Sequence, residues 1–234
     1  MRKAIVVAAG GMLVIGAGCE WGGKPGRVQR GPDPILEGFD DANPRFDAST
    51  HFAAGQLAET QRQPTRAIEQ YQAALKLDPS HRQAMYRLAM VYTDQRQLDS
   101  AIEAWKGYVA ATGYSASAWS NLAYCYEIAG KYTEAEAAYR SGIEKDPKNE
   151  PCRVNYGLML ARQRRFVEAR QQWIQVLDPP AVEYNLGSVY EQLGEVELAR
   201  GAYETALSID PNFSDARKRL EKLGLGPTAI LPRE

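Results

Sequence analysis

The chain has 234 residues, 28 Lys and Arg against 29 Asp and Glu, and 44% apolar residues, a soluble-globular composition with a formal net charge of −1. That balance argues against non-specific nucleic-acid binding, which needs a concentrated positive field. Three cysteines are too few for a disulfide framework, and two histidines leave little for His-based metal or acid–base chemistry.

Arg2 and Lys3 open the chain, Ala4 to Gly18 is an uninterrupted run of 15 apolar or small residues, and Cys19 follows directly. As a helix that run rises only ~22 Å, short of a ~30 Å hydrocarbon core, so it reads as an export signal rather than a membrane span. The stretch Ile15-Gly16-Ala17-Gly18-Cys19 resembles the lipobox of bacterial lipoproteins, with Gly16 standing where that family usually has Leu. The resemblance implies removal of residues 1–18 and acylation of Cys19. The acyl chains would then attach the protein to a membrane with ~0.8 kcal/mol per buried CH₂. Ordinary secretion and an uncleaved anchor are the alternatives. Glu20 is not the aspartate that commonly retains such proteins at the inner membrane. The expected location is therefore the cell envelope, outward of the cytoplasmic membrane, and the periplasmic face of the outer membrane where one exists.

Residues 19–47 are expected to be the lipidated start and a spacer: from Glu20 to Asp47 there are five glycines and four prolines and no sustained apolar period. Trp21, Ile35, Leu36 and Phe39 are the residues of this stretch able to dock on the folded domain.

The rest of the chain repeats. Asp78-Pro79, Asp146-Pro147 and Asp210-Pro211 are separated by 68 and 64 residues, and half of 68 is 34. This sets units at 48–81, 82–115, 116–149, a shortened 150–179, and 180–213. Their eighth positions are Gly55, Ala89, Ala123, Gly157 and Gly187, and their twentieth are Ala67, Ala101, Ala135, Ala169 and Ala199. Their twenty-fourth are Tyr71, Trp105, Tyr139, Trp173 and Tyr203. Positions 4, 7, 8 and 11 share one helical face and positions 20, 24 and 27 share a face of a second helix, so small residues at 8 and 20 let two antiparallel helices approach. A single pair cannot bury its own apolar face, so neighbours must stack. Residues 214–224 carry Ala216, Leu220 and Leu223 on one face, a capping helix for the last unit, with 225–234 left as a tail.

These columns resemble the tetratricopeptide repeat family over 166 residues, about 71% of the chain. The resemblance implies an all-α fold, a right-handed superhelical solenoid of five helix hairpins plus the C-terminal cap. Position 4 departs from the family pattern: Met85 and Trp119 are large and apolar, but His51, Arg153 and Glu183 are not, so the first unit should be looser and the fourth and fifth less tightly packed. The fourth unit is four residues short, with the loss expected after Leu177 and a local change of pitch beyond it.

In the family the first helices line the concave side, and positions 5 and 9 face a groove. The corresponding groove residues here are Phe52, Tyr86, Met90, Tyr124, Leu158 and Tyr184, joined by Asn121, Asn155 and Asn185 at position 6. The asparagines can grip a peptide backbone or simply support the helices. Glu59, Glu127 and Glu191 at position 12, with Asp94, put acid along one edge, and Arg162 is the exception. Phe52 and Gln56 replace the Lys and Asn of the carboxylate clamp used by chaperone-tail receptors of the family. Such a cradle suits a protein or peptide with apolar anchors.

No Ser or Cys column stands beside His51 and His81, no glycine-rich phosphate loop follows the signal, and no metal-ligand spacing occurs. The expectation is a non-enzymatic protein without cofactor, metal or small-molecule substrate. Cys125 and Cys152 should be buried thiols too far apart to pair. The expected function is a membrane-tethered scaffold that binds a peptide or partner helix for assembly of an envelope, secretion or pilus complex. In architecture it is similar to the pilotin-like lipoproteins of type IV pili. The alternative is an adaptor or regulator of cell-wall or polysaccharide-processing enzymes.

Overall fold

The computed structural model describes residues 47–224; the expected signal, Cys19, the expected spacer and the expected tail lie outside the described residues. Within them the chain is eleven helices and no strand. Five hairpins follow one another: α1 (Ala48–Thr60) with α2 (Pro64–Leu77), α3 (Arg82–Asp94) with α4 (Leu98–Ala111), and α5 (Ala116–Ile128) with α6 (Tyr132–Lys145). Next come α7 (Glu150–Arg162) with α8 (Phe166–Trp173), and α9 (Pro179–Gln192) with α10 (Val196–Ile209). The last helix, α11 (Ser214–Lys222), lies on α10.

Short-range chemistry sets the boundaries. Before four of the first helices a side chain accepts a backbone N–H of the first turn: Asp47 from Thr50, His81 from Ala84, Ser115 from Ala118 and Asn149 from Cys152. Three second helices end at an Asp-Pro pair. The proline forces the preceding aspartate into extended backbone, and that aspartate accepts the N–H two residues on, from Ser80, Lys148 and Asn212 at 2.9, 3.0 and 2.9 Å. Each first helix ends on a residue with positive φ: Arg62, Arg96, Gly130, Arg164 and Gly194. The next N–H in the chain then reaches back five residues, as Gln97 does to Tyr92 and Lys131 to Tyr126, both at 2.9 Å. Three arginines therefore stand where glycine is cheapest.

Inside each hairpin a small residue meets a large ring. A Cβ added at Gly157 would lie 2.3 Å from Trp173, one at Gly55 2.4 Å from Tyr71, and one at Gly187 2.6 Å from Tyr203. All five rings at this column are fully buried. Their polar atoms need partners. Trp105 donates to Thr93 Oγ1 at 3.1 Å and Trp173 to the Val154 carbonyl at 3.1 Å, while the three tyrosines donate to Glu59, Glu127 and Glu191.

Two expectations are corrected. The fourth and fifth hairpins are not looser: α7 and α9 each bury eight residues, whereas α1 buries only Gly55 and Ala58. The polar residues at position 4 find partners instead of leaving gaps. Arg153 donates to Gln172 at 2.6 Å, Glu183 pairs with Arg170, and His51 meets Gln70 at 2.8 Å. The shortening of the fourth hairpin also begins earlier than Leu177. α8 has eight residues and stops at Trp173, and the backbone passes through a turn at 174–176 that keeps Val176 buried before Pro179 opens α9.

Cys125 and Cys152 are unpaired and buried, and burial pushes their thiols up to about 11 and about 12.

Glycine swaps should act in opposite directions at two sites. Gly157→Ala forces a methyl into Trp173 and should lower stability by ~1–3 kcal/mol, whereas Arg96→Gly relieves a left-handed backbone and should raise it by up to ~1 kcal/mol. Urea midpoints of the two variants check both signs.

Candidate functional site: the face of the first helices

The first helices lie on the inner side of the array. α5 touches α7 and α7 touches α9 directly, while no second helix packs comparably on the next second helix. Each hairpin joins the next through its second helix, which packs against the following first helix.

This inner face is open at one end and closed at the other. Phe52, Tyr86, Met90, Asn121, Tyr124 and Asn155 are half-buried. Phe52 lies with its ring 4.9 Å from that of His81 and 5.8 Å from that of Tyr71. Tyr86 stands edge-on to Trp105 at 5.5 Å and beside Tyr108 at 5.4 Å, and its hydroxyl has no hydrogen-bond partner among the described residues. Burial raises the Tyr124 phenol above its ordinary value. Asn155 donates from Nδ2 to Ser120 Oγ at 3.3 Å, so it ties two hairpins together.

Leu158, Tyr184 and Asn185 are corrected: they are 4%, 2% and 3% exposed and line no open groove. The cause is the close approach of the later hairpins. At position 27, where the second hairpin has the large Tyr108, the third has Gly142, and a Cβ there would lie 2.8 Å from Cys152 Sγ and 3.1 Å from Trp119. Tyr184 is sealed by Tyr203 and Phe213, both at 5.6 Å between ring centres, and accepts a hydrogen bond from Arg219 at 3.4 Å. Asn185 Nδ2 has no partner among the described residues, because the residue equivalent to Ser120 in the preceding hairpin is Val154.

The acidic edge is corrected as well. Its three glutamates are occupied by internal partners, each taking a tyrosine hydroxyl from its own hairpin and an arginine from the next hairpin or, for Glu191, from α11. Glu59 receives Tyr71 and a two-pronged contact from Arg87, at 2.9 Å from Nε and 2.6 Å from Nη2. Glu127 receives Tyr139 at 3.5 Å and Arg162 at 2.8 Å. Glu191 receives Tyr203 at 2.9 Å and Arg219 at 3.3 Å. Arg162, the apparent exception among the groove charges, is one of these partners. The tyrosine and glutamate are always 12 residues apart, a spacing the sequence displays, but the arginine comes 28 or 35 residues later and carries no local signal.

A cavity of about 270 Å³ opens beside the first of these clasps, lined by Glu59, Arg62, Gln63, Pro64, Val91, Asp94 and Gln95. Among the described residues no group of three or more His, Cys, Asp or Glu side chains is placed to hold a metal ion.

The carboxylates differ in how they respond to pH. Burial holds Glu127 above its ordinary value even with Arg162 beside it, so the stability it contributes is full below the unfolded pKa of about 4.3 and is lost as pH rises through the folded value. The Arg165 hydrogen bond holds Glu136 below its ordinary value, so its contribution is full above about 4.3 and is lost as pH falls through the folded value. Glu127→Gln should therefore flatten the decline in stability on the neutral side, and Glu136→Gln the decline on the acid side. Urea midpoints measured from about pH 3.5 to about pH 7.5, a window spanning the ordinary carboxylate range, separate the two.

Known proteins share this architecture. The solved MamA protein has a TM-score of 0.56 at 20% identity, covering 79% of this chain and 98% of that one. The solved structure described as YrrB, a tetratricopeptide protein with an unusual peptide-binding site, has a TM-score of 0.52 at 22% identity, covering 76% of this chain and 94% of that one. The general transcriptional corepressor ssn6 of Schizosaccharomyces pombe is 25% identical over 170 residues, 72% of this chain, and the chain spans only 13% of that protein's length. Tetratricopeptide repeat models match residues 52–116, 116–149 and 180–213, more than half of the sequence, while 150–179 with its shortened α8 lies outside them. On those matches, and on five stacked hairpins with a right-handed solenoid's column pattern, the chain belongs to the tetratricopeptide repeat family.

Proposed function

We propose that this chain, like tetratricopeptide proteins in general, is a protein-interaction scaffold, and that it is a membrane-tethered one that holds a peptide or partner helix on the open half of its inner face, in the service of an envelope, secretion or pilus assembly. The observation that carries the reading is the contrast within that face. Apolar and aromatic side chains on α1, α3 and α5 are half-buried, whereas their counterparts on α7 and α9 are fully packed away. An unfilled row of such side chains is a surface on which a partner's apolar anchors lose water. The Glu59–Arg87 clasp ties α1 to α3 across that surface, which lowers the order that binding has to create there. A basic residue flanking the anchors would meet Asp94 at the rim of the adjoining cavity. The peptide-binding site named for YrrB, a protein of like fold, adds support.

The tether rests on Arg2, Lys3, the apolar run to Gly18 and Cys19. An acylated Cys19 would place the array outward of the cytoplasmic membrane, on the periplasmic face of an outer membrane where one exists.

Two experiments test these claims separately. Crosslinking in intact membranes, followed by purification, should recover specific partners with the wild-type chain. Those partners should be lost with Met90→Asp plus Tyr124→Ala while the helical melting curve survives; an unchanged partner set would count against the groove. Cys19→Ser should move the protein from the membrane pellet to the soluble fraction. Retention in the pellet would point to attachment by other means.

A further inference from the structure

Among the described residues, one surface of α1 is an unfilled copy of a seam that is filled everywhere else in the array. In each later first helix the third, seventh and tenth positions of the repeat, and in α11 the third and seventh, share a buried cluster with the preceding second helix. At the tenth position Val91, Cys125, Met159 and Val189 are 5% exposed or less, but Leu57 is 58% exposed. At the third position Ala84, Ala118, Cys152, Val182 and Ala216 are buried, but Thr50 is exposed. Ala54, at the seventh, is half-buried where Leu88, Leu122, Tyr156, Leu186 and Leu220 are buried. The other end of the array is closed by α11, whose outward residues Arg217, Lys218, Glu221 and Lys222 are charged and exposed. That charged end cannot fill an apolar ledge on a second molecule, so end-to-end stacking of copies does not cover it.

The sequence just ahead of α1 carries the side chains that the ledge lacks. Asn43-Pro44 stands shortly before the capping Asp47, much as Asp78-Pro79, Asp146-Pro147 and Asp210-Pro211 stand shortly before α3, α7 and α11. Counted back from those three prolines, the residues eight and five places earlier are Tyr71 and Ala74, Tyr139 and Gly142, and Tyr203 and Ala206, all of them buried. Counted back from Pro44, they are Leu36 and Phe39. Asp47 stands eight positions after Phe39, a stretch that can span ~26 Å, whereas Leu57 lies ~15 Å along α1 from its cap, so the reach is ample.

We propose that the segment from Ile35 to Asn43 docks on the Thr50–Ala54–Leu57 ledge, with Leu36 and Phe39 as its apolar anchors. This docking depends on neither the groove nor acylation.

Hydrogen exchange on the Cys19→Ser chain from residue 19 onward tests it without a lipid. The α1 amides should be protected at all protein concentrations, and Leu36→Asp plus Phe39→Asp should speed their exchange about tenfold while leaving α5 to α10 unchanged. Leu57→Asp should give the same acceleration. Equal α1 exchange in wild type and the Leu36/Phe39 variant would overturn the proposal. Protection that grows with protein concentration would overturn it in favour of a second copy on the ledge.

Discussion

Everything in this molecule depends on a close contact inside each hairpin, between a small residue on the first helix and an indole or phenol ring on the second. Glycine at three of the five sites lets the ring lie where a methyl would stand, and alanine serves at the other two. The contact brings two helices together, but it also buries a polar atom with each ring. A buried donor without an acceptor costs ~1–3 kcal/mol, so each ring brings a second requirement. The tyrosines meet it with a glutamate, and the glutamate, drawn out of water, needs a cation. That cation comes from the next hairpin or the cap. A packing contact within one unit thus leads, by way of polar satisfaction, to a link between units. The two tryptophans end the chain of requirements sooner, on a threonine hydroxyl and a backbone carbonyl, and those hairpins have no such clasp.

The inner face is graded for a related reason. The second hairpin carries Tyr108 where the third carries Gly142, and Gly142 admits Cys152 and Trp119 to close range. From that point on the first helices touch one another, and residues that face outward in the earlier hairpins become core. The result is an accessible half and a sealed half in a chain whose repeats look alike when aligned. A partner that uses the inner face therefore meets it over α1, α3 and α5.

The chain's ends differ in the same way as its faces. α11 places Ala216 and Leu220 into the last seam and turns its charges outward, so the array stops there. At the other end the seam of α1 is formed but unfilled among the described residues, with Leu57 on its surface. An unfilled seam of a repeating structure has a known shape and register, because the same seam is filled five times along the chain. That makes its occupant a question of matching residues rather than of general stickiness.

The hairpins, their order and the cap were legible in the sequence because their causes are local or periodic. A proline ends a helix wherever it stands, an aspartate before it accepts the N–H two places on, and columns of glycine, alanine and aromatic residues recur at a spacing that only stacked pairs require. The positive-φ arginines were not legible, since arginine carries no signature of the left-handed backbone that glycine does. Nor were the open and closed halves of the groove. Tyr86 and Tyr184 occupy the same column, yet one is half-buried with an unpartnered hydroxyl and the other is sealed beneath Phe213 and Arg219. Periodicity determines which way a side chain points from its own helix. Whether that direction ends in solvent or in a neighbour depends on the distance between hairpins, and that distance follows from residue volumes at contacts far apart in the chain.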